Sequence, residues 1–324
     1  MAEPQQHPHA AAHPGKGATG YWQSAYRAPR PQRSFLFAPG NRPRMVQKVI
    51  TFGADAVILD LEDAVPIAEK AATRAAIKAA LLSYPREGAC KAYVRVNSLD
   101  TGLSADDVRD IMCPALDGVI LPKVESAEEL RRGDAILERA ETAAGLPGGH
   151  IDLIPIVETA KGFLNAQAIA AAGTRARRLA FGAGDFTFDL GVNWFGDCPG
   201  IMLPRMLLPI ISRAAGLEPP FDTVYQDIRD LEGLRAETET AKALGFQGKM
   251  CIYPAQVAVV NEVFSPTAAE IAYAQQVIEA FTAAEAQGHA SCTVDGKMID
   301  YPIAERAKRV LAVANVLGTS ASSR

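Results

Sequence analysis

Apolar runs of six or seven residues alternate along most of the chain with longer, alanine-rich stretches in which apolar residues recur every three or four positions. The short runs are typical of parallel strands buried on both faces, and the longer stretches are typical of amphipathic helices. Eight runs predict strands: 34–39, 56–62, 91–97, 118–123, 152–158, 178–184, 220–225 and 248–253. Six stretches between them predict helices: 44–52, 67–82, 127–143, 160–172, 201–215 and 230–244.

Eight strands with intervening helices predict an α/β protein with a (β/α)8 TIM barrel, and the chain length agrees with that fold. A doubly wound sheet is the alternative, but no Gly-x-Gly-x-x-Gly motif follows the first strand. Beyond the eighth strand, a helical stretch at 266–287, a short hairpin with its turn at Asp295-Gly296 and a helix at 303–317 predict a C-terminal extension. This extension either caps the site or contacts another subunit.

The predicted organisation is therefore a tail at 1–32, a barrel at 33–264 and a C-terminal helical and hairpin extension at 265–324. The tail is rich in Pro, Gly and polar residues and lacks sustained periodicity, which predicts disorder. Three of the five histidines, His7, His9 and His13, fall in it. Metal binding by these histidines is the alternative, but solvated disorder is favoured for so short a tract.

Composition excludes several classes of protein. The chain has 324 residues, 48% of them hydrophobic, with 33 basic and 37 acidic side chains and a pI near 5.8. Such a chain can bury a large core, and it lacks the basic character expected of a protein that binds nucleic acid or a membrane surface. No apolar run predicts a membrane span, and no secretory signal is visible. Five scattered cysteines without a Cys-x-x-Cys pair predict free thiols and a cytoplasmic protein.

Reactive side chains cluster where the predicted strands end. Active sites of barrels lie at the carboxyl ends of the strands, so these residues are expected to converge on one site. They are Asp60, Glu62 and Asp63 after strand two, Arg95 and Asn97 in strand three, Lys123 and Glu125 after strand four, Glu158 after strand five, and Gly184 and Asp185 after strand six.

Glu158 and Asp185 carry the oxygen ligands that Mg²⁺ prefers, and their strands are adjacent. The alternative for each acid is a charge at the start of the following helix. That alternative is weaker for Glu158, because Thr159 can cap the next helix in its place. A glycine-rich bend before Asp185 is expected to bring backbone N–H groups close to a ligand. The pair therefore predicts a magnesium site.

Arg95 lies within an otherwise apolar strand, so its guanidinium must face an acid or an anionic ligand. Glu62 or Asp63 is the expected protein partner, direct carboxylate binding is the alternative, and both can hold together. Lys123 is expected to pair with nearby carboxylates rather than to form a Schiff base. Outside the tail only His150 and His289 remain, both in predicted loops, so a histidine base is not favoured.

Eight ordered motifs carry a family resemblance: RSFLFAPGNRPRMVQKV, DAVILDLEDAV, YVRVNS, VILPKVES, IPIVETAKG, FGAGDFTFDLG, GKMCIYPAQV and VDGKMIDYP. Over residues 33–318 the chain resembles the citrate lyase β-subunit-like branch of the HpcH/HpaI aldolase family. The resemblance implies a TIM barrel in which Glu158 and Asp185 hold Mg²⁺ and Arg95 binds the carboxylate or carbonyl oxygen of a 2-oxo acid. It also implies that Glu62 and Asp63 line the metal-water shell and steady Arg95.

Further roles follow from the resemblance. Gly184 and Asp185 are expected to contact substrate, and the region of Arg42 and Lys48 resembles the part of CoA-using relatives that meets the nucleotide. Asp295 corresponds to an acid that reaches a neighbouring subunit's site, which implies a homotrimer or a multiple of it, such as a hexamer. The chain departs from the family in having Tyr253 where many relatives have a histidine.

The predicted function is Mg²⁺-dependent cleavage or formation of a carbon–carbon bond in a 3-hydroxyacyl-CoA thioester of the malyl-, citramalyl- or citryl-CoA type. The small-molecule partners would be a CoA thioester and a 2-oxo acid. Two alternatives are a thioesterase on the same scaffold and a β subunit of a citrate lyase complex whose substrate arrives on a carrier protein.

Overall fold

The computed structural model of the protein describes residues 31–85, 90–194 and 198–318. The predicted disordered tail lies outside these residues except for its last two positions. The described residues divide into two compact units, 31–265 and 266–318. Among them, no helix combines the length and the apolar character needed to span a membrane. All five cysteines are free thiols.

Eight parallel strands close into a barrel in the order of the sequence, which confirms the predicted TIM-barrel fold. In register, Phe35 of the first strand pairs with Ala56 of the second, and Ser34 pairs with Lys249 of the eighth. The strands are β1 (Ser34–Pro39), β2 (Ala56–Asp60), β3 (Lys91–Arg95), β4 (Gly118–Leu121), β5 (Asp152–Val157), β6 (Ala180–Phe181), β7 (Phe221–Asp222) and β8 (Gly248–Cys251).

Helices follow the strands around the barrel. They are α1 (Pro43–Val49), α2 (Lys70–Ser83), α3 (Ser104–Ile111), α4 (Ala127–Ala143), α5 (Ala160–Leu164), α6 (Ala166–Ala170), α7 (Ala183–Asp189), α8 (Met202–Ala214), α9 (Leu231–Leu244) and α10 (Pro254–Phe264). Short 3₁₀ turns precede α2, α3 and α8, at Ile67–Glu69, Leu99–Thr101 and Pro199–Ile201.

Alternation along each strand separates two apolar layers. Side chains such as Phe35, Ile58, Ile120 and Ile156 fill the barrel interior, whereas their neighbours in sequence pack outward against the helices. At the amino-terminal end of the barrel, the Tyr93 hydroxyl donates to Asp152 at 2.9 Å. These buried groups fill that end, so the interior opens at the opposite end, where the strands terminate.

Four details of the predicted elements are wrong. The strand predicted at 178–184 is only Ala180–Phe181, and Gly184 and Asp185 lie in the first turn of α7 rather than in a bend. The strand predicted at 220–225 is Phe221–Asp222, and the helix predicted at 160–172 is two short helices. Helix α3 was not predicted, because its eight residues contain only two large apolar side chains, Val108 and Ile111.

Residues 266–318 form a second apolar cluster of their own. They comprise α11 (Ala268–Ala286), the antiparallel strands β9 (Cys292–Val294) and β10 (Lys297–Ile299), and α12 (Tyr301–Leu317). Phe281 and Tyr301 pack edge to face with ring centroids 5.1 Å apart. Asp295 and Gly296 both have positive φ, at 47° and 72°, as the predicted Asp-Gly hairpin turn requires.

Candidate active site at the carboxyl end of the barrel

A cavity of about 350 Å³ opens where the strands end, and several of the predicted site residues line it. Its polar lining includes Asp60, Arg95, Glu158 and Asp185. The barrel brings these residues together because Asp60 and Arg95 end β2 and β3, Glu158 follows β5, and Asp185 begins the helix after β6. The apolar part of the lining includes Phe37, Met45, Ile156, Trp194, Met250 and Ile252.

Arg95 is held by two carboxylates. Its Nε and one terminal nitrogen donate to the two oxygens of Asp60 at 2.8 and 2.7 Å, and its other terminal nitrogen lies 2.8 Å from Glu62. The guanidinium carbon also lies 5.0 Å from the centre of the Phe37 ring. The two contacts with Asp60 are hydrogen bonds, whereas the Glu62 Oε2 that faces the third nitrogen has no hydrogen-bond partner, so that contact is an ion pair only. A guanidinium has five N–H groups, so N–H groups remain for a ligand. Arg95 can therefore be anchored and bind an anion at the same time.

These ion pairs determine the charge states of the three groups. Burial opposes the charge on Arg95, but the attraction of Asp60 and Glu62 is stronger and raises its pKa. Burial also opposes ionisation of Asp60, yet Arg95 and two backbone N–H groups lower its pKa. For Glu62 burial prevails over Arg95 and Lys123, so its pKa is raised. Arg95 thus stays charged.

Glu158 is a buried carboxylate in an electronegative environment. Burial and the nearby charges of Glu62 and Asp185 raise its pKa well above the ordinary value, against the effect of Arg95. The backbone N–H of Lys123 donates to its Oε1 at 2.8 Å. Thr159, as predicted, caps α5 by accepting from the N–H of Gly162 at 2.9 Å, which leaves Glu158 free of that structural task.

Gly182 makes room for the Glu158 carboxylate. A Cβ at position 182 would lie 2.3 Å from Oε2 of Glu158 and 2.7 Å from its Cβ, closer than real Cβ contacts allow. The glycine before α7 is therefore required by the close approach of β6 to the Glu158 side chain. At the first residue of α7, the Ala183 N–H donates to the Thr223 hydroxyl at 2.9 Å. This hydrogen bond anchors the start of the helix that carries Asp185.

Lys123 links the acids to one another, as expected from the sequence. Its ammonium lies 2.5 Å from Glu62, 3.2 Å from Asp63 and 3.8 Å from Asp185. Burial opposes its charge, but hydrogen bonding and attraction from Glu62 raise its pKa. The ion pair of Asp63 thus runs to Lys123, whereas those of Arg95 run to Asp60 and Glu62.

Other predicted residues lie at the margin of the cavity or in the second unit. Arg42 precedes α1 and Lys48 is in its last turn; both are exposed, and Met45 between them lines the cavity. Gly184 lines the cavity beside Trp194. Asp295 is exposed at its hairpin turn. Tyr253, which replaces the family histidine, is 44% exposed, and its neighbour Ile252 lines the cavity.

Sequence reasoning named Asp60 without assigning it a partner. A signal was available, because β2 and β3 are parallel and Asp60 and Arg95 are both terminal residues of their strands. They are register partners in the sheet. The apolar wall of Trp194, Met250 and Ile252 was also missed, since nothing in their local sequence marks them as cavity residues.

Comparison with known proteins identifies the family. The sequence model for the HpcH/HpaI aldolase/citrate lyase family matches residues 33–254, and one for carbon–carbon bond lyases of the TIM-barrel fold matches residues 212–319. The first match covers more than half of the chain. The protein belongs to the HpcH/HpaI aldolase/citrate lyase family. The resemblance drawn from the motifs is confirmed.

Individual members of this family are similar over most of their length. The citrate lyase subunit beta of Leuconostoc mesenteroides subsp. cremoris is 37% identical, over 88% of this chain and 94% of that protein. The (3S)-malyl-CoA thioesterase of Cereibacter sphaeroides is 36% identical, over 90% and 98%. The human mitochondrial citramalyl-CoA lyase is 32% identical, over 91% and 89%.

A solved structure of the family agrees with the observed fold. The CitE protein of Mycobacterium tuberculosis, in complex with magnesium, acetoacetate and coenzyme A, superposes with a TM-score of 0.70 at 30% identity. The match covers 88% of this chain and 98% of that one.

The residues of the cavity are compatible with the divalent cation bound by this family member. Within the described residues, no three His, Cys, Asp or Glu side chains are close enough to enclose a metal by themselves. Mg²⁺ is usually held by one or two carboxylates, with waters or substrate oxygens completing its shell. Glu158 and Asp185 supply two. Burial, followed by the nearby charges of Glu62 and Asp185, raises the pKa of Glu158. A divalent cation at these carboxylates would favour their charged form.

Proposed function

We propose that the protein is a Mg²⁺-dependent carbon–carbon lyase that cleaves or forms a 3-hydroxyacyl-CoA thioester, of the malyl-, citramalyl- or citryl-CoA type. The products of cleavage are a 2-oxo acid and an acyl-CoA. One observation carries the proposal: an arginine that its two hydrogen bonds to Asp60 anchor, with N–H groups left for a ligand, and a pair of carboxylates line the same cavity. A set of this kind suits the recognition of a 2-oxo acid.

Arg95 orients the hydroxy-acid end of the substrate. Its remaining N–H groups bind the terminal carboxylate or the oxygen that becomes the carbonyl, while the hydrogen bonds to Asp60 and the ion pair with Glu62 hold the guanidinium in place. Glu158 and Asp185 hold Mg²⁺, which when bound supplies Lewis-acid polarisation of the oxo-acid oxygens. Glu62 and Asp63 border the metal-water shell, and Gly184, which has no side chain, leaves space for substrate beside Trp194.

Cleavage needs a base for the hydroxyl proton. As that proton leaves, the oxygen forms the carbonyl of the oxo acid and the bond to the α-carbon breaks. The electron pair moves into the thioester as an enolate, which takes up a proton to give the acyl-CoA. In synthesis the same base removes the α-proton. We assign this base to Asp295 from a neighbouring subunit, so the active assembly is a homotrimer or a hexamer.

The first helix of the barrel, α1, contacts the nucleotide end of the substrate. Arg42 and Lys48 are exposed on either side of Met45, which lines the cavity, so a thioester reaching into the cavity would pass these two cations. Phosphate groups pair readily with such side chains. The free thiols suit the reducing cytoplasm, where acyl-CoA substrates are available.

Two further functions have support from relatives. A thioesterase would use a water positioned in the same cavity, and a (3S)-malyl-CoA thioesterase is 36% identical to this chain. A β subunit of a citrate lyase complex would act on a carrier-bound substrate, and a citrate lyase subunit beta is 37% identical. The two differ from a CoA lyase in their products and in their need for partner subunits.

Product analysis separates the three functions. The purified protein is incubated with malyl-, citramalyl- and citryl-CoA, each with Mg²⁺ and with EDTA, and 2-oxo acid and free CoA are measured separately. Metal-dependent release of oxo acid with an intact acyl-CoA is the expected result. Free CoA without oxo acid would instead identify a thioesterase, and activity only after addition of carrier and partner subunits would identify a complex subunit.

A further inference from the structure

Lys123 contacts both residues proposed to hold the metal, by two different groups. Its backbone N–H donates to Glu158 at 2.8 Å, and its ammonium lies 3.8 Å from Asp185. The same ammonium contacts Glu62 at 2.5 Å and Asp63 at 3.2 Å. One residue is thus in contact with, or within 4 Å of, four carboxylates.

The backbone of Lys123 adopts a conformation that a lysine rarely takes. Its φ is +52°, in the left-handed region, and the one other non-glycine residue described with positive φ is Asp295 in its hairpin turn. A side chain at such a position is disfavoured relative to glycine, and strain of this kind is concentrated at functional sites. Glycine would adopt the same backbone without strain. The presence of a lysine rather than a glycine at this position is therefore attributed to its side chain.

We propose that the Lys123 ammonium competes with the divalent cation: it partly neutralises the carboxylates in the metal-free protein and lowers their affinity for the metal. The inference rests on the proposed metal site at Glu158 and Asp185. A fixed positive charge beside Asp185 attracts the same oxygens that the cation needs and repels the cation itself. Lys123 is thus a positioning residue that keeps the acids in place when no metal is present.

Removal of the ammonium is expected to have opposite effects on affinity and stability. In Lys123→Met, Mn²⁺ should bind about tenfold more tightly, because repulsion between a single and a double charge at this range amounts to about that factor. The melting temperature of the metal-free protein should fall, since Glu62 and its neighbours lose their counter-charge. An ordinary structural ion pair would lower the melting temperature without tightening metal binding.

Three variants separate charge from backbone. Lys123→Gly keeps the N–H to Glu158 and relieves the positive φ, so tightening in both this variant and Lys123→Met assigns the effect to charge. Lys123→Arg keeps a cation and should bind Mn²⁺ with nearly the wild-type affinity. Lys161→Met is the matched control, because Lys161 forms an exposed 2.8 Å ion pair with Glu125 outside the cavity.

The measurement is Mn²⁺ binding by calorimetry and by electron paramagnetic resonance, on purified full-length protein stripped of metal, together with its thermal melting. Unchanged or weaker binding in both Lys123→Met and Lys123→Gly, with normal binding by the wild type, would overturn the role of Lys123 alone. Failure of the wild type itself to bind Mn²⁺ would overturn the metal site and this inference together.

Discussion

Two clusters of charged side chains lie in the same barrel, and they differ in charge balance. In the first, Asp222 is fully buried between Arg205 at 2.8 Å and Lys249 at 2.8 Å, and Lys249 also pairs with Glu237 at 2.6 Å. Two acids thus meet two cations. Burial opposes ionisation of Asp222, but the two cations lower its pKa.

The cluster in the cavity has more acids than cations. Asp60, Glu62, Glu158 and Asp185 face only Arg95 and Lys123 among the side chains whose ion pairs the structure describes there. The pKa of the buried Glu158 is raised, whereas the pKa of Asp222 is lowered. A balanced cluster is complete in the folded chain, whereas an unbalanced one is completed by a ligand. This difference is what we expect between a structural cluster and the proposed binding site.

Replacing either of the two proposed metal ligands should have the largest effect on activity. In Glu158→Gln, kcat/KM for the preferred thioester should fall by on the order of 10³-fold, since a metal ligand is lost. Stability should be retained or increased, because a poorly compensated buried charge is removed. Steady-state kinetics measure the loss of activity, and thermal melting of the metal-free protein measures the change in stability. A large loss of stability would place Glu158 with the structural cluster instead.

Asp185→Ala tests the second proposed ligand of the metal site. It should abolish metal-dependent turnover while the circular dichroism spectrum and melting temperature remain close to those of the wild type. Asp185 is partly exposed, so its loss leaves no buried group without a partner. Full activity in this variant would remove Asp185 from the site.

Replacing Asp222 should have the largest effect on stability. In Asp222→Asn, Arg205 and Lys249 lose their shared counter-charge inside the protein, which should cost about 3–5 kcal/mol in the free energy of unfolding. Chemical denaturation measures this value. The fraction that remains folded should keep its affinity for Mn²⁺, because these residues lie outside the cavity lining. Loss of metal binding by the folded protein would show that the two clusters are coupled.

The pH dependence of stability should sharpen the same contrast. Asp222 has a lowered pKa in the folded protein, so its contribution is present above the ordinary carboxyl pKa and is lost as the pH falls through the lowered value. The stability difference between wild type and Asp222→Asn should therefore shrink as the pH is lowered below about 4. Denaturation at a series of pH values checks this, and a difference that grows on acidification would have the wrong sign.

The sequence predicted more of the cavity cluster than of the balanced one. Arg95, Glu158 and Asp185 stand at the ends of recognisable apolar runs, and the barrel brings strand ends together. The pairing of Asp222 with Lys249 was not foreseen, because it depends on packing between β7, β8 and the helices outside them, which local patterns do not specify. The left-handed backbone of Lys123 was not foreseen either, because local sequence patterns do not specify it.

The start of α7 shows the same limit at a single residue. The sequence around Gly182 predicts a strand that runs into a glycine-rich bend. The structure uses Gly182 for a different reason: the Glu158 side chain occupies the space where a Cβ would be. Local propensity could not reveal this, because the neighbour comes from another strand.

Gly182→Ala tests whether that space matters and should have a smaller effect than the substitutions above. The added methyl group would displace the Glu158 carboxylate, so kcat/KM and Mn²⁺ affinity should each fall by about tenfold, a typical cost of misplacing a metal ligand. The free energy of unfolding should fall by about 1–3 kcal/mol from overpacking. Gly184→Ala is the matched control, because its nearest contact would be an ordinary 3.4 Å to the Trp194 ring. Gly184→Ala should retain Mn²⁺ affinity, and equal losses in the two variants would show that the start of α7, rather than the position of Glu158, is responsible.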